Sequence, residues 1–423
     1  MRKLLLVCCF ISQTVLAQKI VLHCGQLVDV KQLKIVKEVS VIIEGNKITD
    51  VVNGYVNAAS SDKIIELKDK TVMPGLIDMH VHLESETKKG GVADKFIENP
   101  EDIAFESIHF ANITLMSGFT TVRDLGGSGV NIALRNAINK KLVTGPRIFT
   151  AGKSIATTGG HADPTNGYRK NLMGDPGPKE GVINGPEDAY HAVRERYKEG
   201  SDVIKITATG GVLSQAKDGS SPQFTEEEIK AIVAAAKDYG FKVAAHAHGT
   251  EGIKRAIRGG VNSIEHGTFM DDEAMDLMKQ YGTYYVPTII AGKSSSDSAK
   301  IPGYYSDIVT PKALVIGTKI QSTFARAYKA GVKIAFGTDA GVYAHGKNWL
   351  EFVYMTEAGM PILECIRAAT VNAADLLGND QLGVIEKGKL ADVIAVDGDP
   401  TKDVNVMGKV KFVMKNGEVY KND

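Results

Sequence analysis

Pro74-Gly75-Leu76-Ile77-Asp78-Met79-His80-Val81-His82 sets the reading of the whole chain. Pro-Gly punctuates, and Leu76 to His82 then runs as a short apolar segment, which predicts a strand. Residues i and i+2 of a strand share a face. His80 and His82 therefore project the same way from its end, where two imidazoles can hold one metal ion. A His-x-His pair alone is a weak signal, and core histidines satisfied by hydrogen bonds are the bland alternative. The pair gains weight from the pattern of the residues downstream.

Beyond His82 the texture alternates. Strands are predicted at Leu76 to His82, Thr120 to Asp124, Arg147 to Ala151, Val203 to Thr209, Lys242 to His246, Ser263 to Glu265, Thr283 to Thr288 and Lys333 to Phe336. Helical patterns fall between most of them, at 101–116, 186–198, 225–239, 251–258, 271–280 and 311–329. Thr225-Glu226-Glu227-Glu228 is a capping box. Eight alternations predict an α/β fold, a (β/α)8 TIM barrel over residues 75–387. An open doubly wound sheet is the alternative, but no Gly-rich phosphate fingerprint comes after an early strand.

The two ends read as β structure. Short Val- and Ile-rich runs occupy 19–23, 33–36, 39–44 and 47–52, and others 391–396 and 409–414. Asn416-Gly417 is a two-residue hairpin signal. Neither end has enough strands to stand alone. Residues 18–74 and 388–423 are expected to form one small β-sandwich domain. Ser294-Ser295-Ser296 with Lys293 reads as a polar loop after the seventh strand, a candidate lid.

Residues 1–17 carry the pattern of a cleaved secretory signal: Arg2 and Lys3, then the apolar run Leu4 to Ile11, then Val15-Leu16-Ala17 before Gln18. The run is too short to span a membrane, so the mature protein is expected to be secreted or periplasmic, with no membrane association. The full chain of 423 residues has 50 basic and 50 acidic residues. That balance gives no support for nucleic acid as a partner. Of four cysteines, Cys24 and Cys365 lie beyond the signal, too few for a disulfide framework and suited to buried apolar slots.

Seven of the ten histidines fall at or just beyond a predicted strand end: His80, His82, His161, His246, His248, His266 and His345. Barrel enzymes place their active sites at that rim. Phe336-Gly337-Thr338-Asp339 puts a carboxylate there, able to ligate a metal and to take a proton from metal-activated water. An N-cap is its bland reading. Lys205 sits in the apolar strand Val203-Ile204-Lys205-Ile206. Burial favours its neutral, nucleophilic amine, which can take up CO2 to become a carbamate anion able to bridge two metals. A lysine paired with an unseen acid is the alternative. His246 and His266 would complete a second metal site. His248 shares the face of His246 and competes with it, although His246 directly follows Val243-Ala244-Ala245 and should sit deeper.

These motifs, together with Ser263-Ile264-Glu265-His266-Gly267, Gly337-Thr338-Asp339-Ala340 and the closing Gly388-Lys389-Leu390-Ala391-Asp392-Val393, resemble the amidohydrolase superfamily over essentially the whole mature chain. Thr158-Gly159-Gly160-His161-Ala162-Asp163 and Ala244-Ala245-His246-Ala247-His248-Gly249 look like the branch of prolidase-like Xaa-dipeptidases and carboxypeptidases related to imidazolonepropionase. The resemblance implies two divalent metal ions, zinc by expectation, held by His80, His82, Lys205 carboxylated by CO2, His246, His266 and Asp339. It implies Asp339 as general base and His161 as a substrate contact that polarises the scissile carbonyl. His248, Arg169 and Tyr285 are further candidate substrate contacts, although strand alternation leaves the choice between Tyr285 and Tyr284 open. The expected substrate is a small molecule, a dipeptide or N-acyl amino acid, and a homo-oligomer is compatible with the fold. A mononuclear deaminase or cyclic-amide hydrolase, imidazolonepropionase-like, is the alternative. A non-catalytic binding protein is a remote one.

Overall fold

A computed structural model describes residues 19–57 and 59–423. The expected signal at residues 1–17 lies outside them. The two chain ends form one seven-stranded sheet. From one edge its strands are Glu418–Asn422, Val410–Lys415, Val393–Val396, Lys63–Pro74, Lys19–Asp29, Lys34–Glu44 and Lys47–Asn53. Asn416 (φ 53°) and Gly417 (φ 75°) make the expected tight hairpin turn. The sheet curls on itself, bringing Gly417 against the Gly45-Asn46 turn, and encloses Leu22, Cys24, Val41, Ile65, Val393 and Phe412. Cys24 and Cys365 are both free and buried.

Two details differ from expectation. The runs 33–36 and 39–44 are one strand, kinked at Glu38, whose φ is 52°. Lys63–Pro74 is a central strand, pairing parallel with Lys19–Asp29 and antiparallel with Val393–Val396. Its many charges hide it, because its outer face is wet.

Beyond Pro74 the chain enters the barrel. Seven staves are regular strands: Leu76–Val81, Phe119–Asp124, Arg147–Thr150, Ile204–Thr207, Val243–Ala247, Ser263–His266 and Tyr284–Val286. Their pairing is parallel. Most residues in them are buried on both faces, as covered parallel strands require. The third and fourth staves join through the Ile155–Ile206 bridge and the Asp202 N–H to Thr150 carbonyl bond. The expected eighth strand, Lys333 to Phe336, is not a regular ladder. It closes the barrel by single bonds, from Tyr285 N to Lys333 O (2.8 Å), Met79 N to Phe336 O (2.9 Å) and His82 N to Ala340 O (2.7 Å). Phe336 N donates to Ala368 O (3.0 Å) and not to a neighbouring stave, and Asp339 beyond it turns left-handed (φ 59°).

The helices Pro100–Met116, Pro186–Glu199, Glu226–Asp238, Thr250–Gly259, Asp272–Tyr281 and Val309–Lys329 lie where the pattern places them. Thr225 Oγ1 accepts from Glu228 N, and the Glu228 carboxylate accepts from Thr225 N. The predicted polar loop around Ser294 to Ser296 is instead the helix Ile289–Ala299. Its first two amides, on Ile289 and Ile290, donate to the buried carboxylate of Glu351 at 2.9 and 2.8 Å. A cap from a residue sixty positions away cannot be read locally. Ser295 and Ser296 are buried, so this segment is a packed wall and not a lid.

Candidate metal centre and substrate cavity

The rim of the barrel collects side chains from six staves around a cavity of about 250 Å³. His80, His82, Lys205, His246, His266 and Asp339 all line it, with His161 and His248. Its other walls are largely apolar, including Leu125, Val212, Leu213, Ile316, Ile320 and Val342.

Five of these imidazoles, all but His161, are held by one nitrogen and present the other. His80 Nδ1 lies 3.0 Å from Glu265 Oε2, and Glu265 Oε1 accepts from Arg123 Nη2 at 2.8 Å. Arg123 Nε donates to Met79 O at 2.7 Å. Arg123, Glu265 and His80 are essentially inaccessible to solvent, so this is a buried, fully hydrogen-bonded charge relay. His82 Nδ1 bonds Gly126 O (2.7 Å), His266 Nδ1 bonds Thr288 Oγ1 (2.7 Å) and His248 Nδ1 bonds Thr268 Oγ1 (2.8 Å). These contacts leave Nε2 facing the site. His246 is reversed: its Nε2 lies 3.2 Å from Gly210 O, so Nδ1 is the free nitrogen. Partners of this kind fix the tautomer of a ligating histidine.

The free atoms converge in two sets. Ligand atoms of His246, His248 and His266 lie within 4.8 Å of one another, as do those of His80, His266 and Asp339. Asp339 Oδ1 sits 3.2 Å from His82 Nε2 and 3.4 Å from His80 Nε2 without an aligned hydrogen bond. Lys205 Nζ is 3.3 Å from His80 Nε2 and lines the same cavity. Burial holds His80, His246 and His266 well below the usual imidazole range, helped by the Lys205 charge at His80 and chiefly by neighbouring imidazoles at His246 and His266. Burial also pushes His248 and His161 down to about 3, and Lys205 down to about 8. His82 alone shifts upward, because the adjacent Asp339 carboxylate outweighs its burial. Imidazole nitrogens and one carboxylate aimed at a common gap are the donor set that divalent metals take.

Below the rim, Asp78 ties the first and eighth staves together. Its carboxylate accepts from Thr338 Oγ1 (2.6 Å), Asn348 Nδ2 (2.8 Å) and the amides of His80 and Thr338 (both 3.1 Å). Three site residues hold left-handed backbone: His266 (φ 71°), Thr288 (φ 52°) and Asp339 (φ 59°). Such strain persists where the surroundings over-determine it.

Two candidate substrate contacts lie elsewhere. Tyr285 is fully buried, and its hydroxyl donates to His266 O at 2.9 Å. It belongs to the core behind the site, near Phe324, because strand alternation turns it away. Arg169 is exposed, caps a short helix and bonds Asn171 Oδ1 at 3.2 Å. It lines neither this cavity nor the larger one outside it. His345 stacks on Phe110 and does not line the inner cavity. His161 does reach it. Its ring stacks on His246 with centroids 4.3 Å apart, and its buried Nδ1 has no partner among the described residues. Sequence reasoning missed the roles of Arg123, Glu265, Thr268, Thr288 and Asp78. For Arg123 a signal exists: it is a lone cation in the strand Thr120 to Asp124, as Lys205 is in its own.

A (β/α)8 barrel whose strand ends aim neutral imidazoles, a carboxylate and a buried lysine into one cavity is the frame of a metal-dependent hydrolase. Residues 71–420 match the model of the Amidohydrolase family, and the chain belongs to that family. It is similar to ochratoxinase from Aspergillus niger, with 32% identity over 380 residues, 83% of this chain and 75% of the relative. Among solved structures it superposes on a Xaa-Pro dipeptidase with bound methionine in the active site, at 54% identity and a TM-score of 0.94, covering 96% of this chain and 100% of that one. A prolidase complexed with N-methylphosphonate-L-proline gives 32% identity and a TM-score of 0.88, with the same coverage. The protein is accordingly a hydrolase acting on carbon–nitrogen bonds.

Proposed function

We propose that this chain is a binuclear, zinc-dependent dipeptidase that hydrolyses the amide bond of a dipeptide or N-acyl amino acid, with Xaa-Pro dipeptides as the first substrates to try. The observation that carries the binuclear reading is Lys205. Its amine stands 3.3 Å from His80 Nε2, in a cavity that is also lined by two converging donor sets sharing His266. Among the described residues, no carboxylate lies within hydrogen-bond reach of its Nζ. An unpaired ammonium there is costly, whereas a carbamate formed with CO2 would be an anion placed between two cations. His80, His82 and Asp339 would hold one metal, and His246 through Nδ1 with His266 the other. When bound, the metals supply Lewis acidity and lower the pKa of water.

The chain's own residues do the rest. Asp339, at the end of the eighth stave, accepts the proton of the attacking water and returns it to the leaving amine. Water adds to the carbonyl carbon, the carbon–nitrogen bond breaks, and a carboxylic acid and an amine result. His161 stays neutral and offers one N–H to the carbonyl oxygen as negative charge develops on it. His248 is the fifth-stave histidine left over for substrate or for orienting its neighbours. The apolar wall of Val212, Leu213, Ile316 and Ile320 excludes water and accommodates an aliphatic or thioether side chain. The leader pattern of residues 1–17 supports export, and N-terminal sequencing of the mature protein should then begin at Gln18.

The test is a panel of Xaa-Pro dipeptides, including Met-Pro, with N-acyl amino acids and cyclic amides alongside. Fastest turnover on the open-chain amides supports the reading. Turnover confined to cyclic amides or amino-heterocycles refutes it in favour of the mononuclear alternative.

A further inference from the structure

Residues 210–216 follow the fourth stave, and Val212 and Leu213 among them form part of the wall of the inner cavity. Leu213 and His161 also line the larger outer chamber of about 580 Å³, so this loop helps to partition the two. One side chain gathers the loop. Lys312, on the helix Val309–Lys329, donates from Nζ to the carbonyl oxygens of Gly211 (3.0 Å), Ser214 (2.7 Å) and Ala216 (2.7 Å). An ammonium has three donors, and all three go to this one segment. The loop in turn touches the chemistry. Gly210 O faces His246 Nε2 at 3.2 Å. Gly211 lies against the His161 ring so closely that a Cβ there would fall 2.2–2.5 Å from three ring atoms.

We propose that Lys312 is a positioning residue for amide hydrolysis. Its ammonium sets the height of the 210–216 loop over the cavity. Through Gly211 it places the His161 ring, and through Val212 and Leu213 it sets the space left for substrate. Neither Lys312 nor its helix neighbours need touch the reacting atoms for this. A lysine suits the task because one flexible point charge can serve three carbonyls that do not share a plane, which a planar guanidinium cannot.

The kinetic consequence rests on the hydrolase reading above, so the first readout needs no substrate. Amide hydrogen exchange over residues 209–221 is compared between the full-length parent and Lys312→Met, which keeps the aliphatic stem and removes every donor. Exchange there should rise at least about tenfold, because the loop's opening equilibrium shifts, while the barrel staves and the bound metal stay at parent levels. Gly211→Ala then forces a methyl group into the His161 ring. On an amide that the parent hydrolyses, each variant should lose at least about tenfold in kcat/KM. The double variant should lose no more than about threefold beyond the worse single, since both act through one contact. Unchanged exchange in Lys312→Met overturns the inference. So does parent-like kcat/KM in either single variant, or losses that multiply fully in the double. If Lys312→Met does not fold, Lys312→Gln carries the same expectations. A parent inactive on every amide defeats the hydrolase reading, and the exchange measurement then decides the role of Lys312 by itself.

Discussion

Glu265→Gln tests whether the buried relay behind His80 tunes the metal centre. The substitution keeps volume and shape but removes the charge that Arg123 Nη2 meets at 2.8 Å and His80 Nδ1 at 3.0 Å. Two effects separate. First, Arg123 keeps its bonds to Met79 O and Ser263 Oγ but loses its carboxylate partner in a site sealed from water. Removing one partner of a buried ion pair costs about 3–5 kcal/mol, and an amide oxygen still able to accept from Nη2 keeps the loss near the lower end. Second, His80 loses an anionic acceptor at Nδ1, so its free nitrogen becomes a weaker base. Loss of such a partner lowers metal affinity by about 10–100-fold, equivalent to about 1.4–2.8 kcal/mol. The assays are urea unfolding of the metal-free protein and zinc competition against a chromophoric chelator. The Arg123→Met, Glu265→Gln double variant should recover part of the lost stability, because it no longer buries an unpaired cation, and should recover none of the affinity. Parent-like zinc affinity in Glu265→Gln would refute the claim that Glu265 works through His80.

Thr225→Ala removes the hydroxyl that accepts from Glu228 N and should cost about 1 kcal/mol in urea unfolding, with kcat/KM unchanged because the helix Glu226–Asp238 only backs the barrel. Arg169→Ala should leave kcat/KM within about twofold on every substrate of the panel, since the exposed guanidinium reaches only Asn171 among the described residues. A larger loss would restore Arg169 to the substrate face. Burial pushes the Glu351 carboxyl up to about 8. A folded-state pKa raised above the unfolded value of about 4.3 means that the folded protein binds more protons in that interval, so this group's stabilisation is full below about pH 4 and fades as pH rises through about 8. Relative to Glu351→Gln, the parent's urea midpoint should therefore fall between about pH 5 and about pH 8. A difference that stays flat or rises across that window contradicts the assignment.

The barrel is legible in the sequence because its staves repeat one pattern, an apolar run ending in a chemically active residue. That repetition puts His80, His82, His246, His266 and Asp339 at one rim, Lys205 stands out as a lone cation inside an apolar strand, and the structure brings all six to one cavity. The hidden features depend on distant partners. Ile289–Ala299 has a serine-rich sequence with little helix signal, and Glu351 supplies its cap from another helix. Arg123 and Glu265 are separated by 142 positions, so each reads only as an isolated charge in a strand. Tyr285 reads onto the wrong face because a three-residue strand leaves the alternation between Tyr284 and Tyr285 without an anchor. The eighth stave falls at the expected place in the chain, but it joins its neighbours by single bonds and sends Phe336 N to Ala368 O, so it forms no regular ladder.

Lys205 decides between one metal and two. Metal content per chain should be determined for the parent and for Lys205→Ala, each purified with zinc and bicarbonate. A carbamate between two cations predicts two metals in the parent and a sharp loss in the variant. One metal in both proteins would contradict it, remove the bridging role of Lys205 and move the chain to the mononuclear alternative.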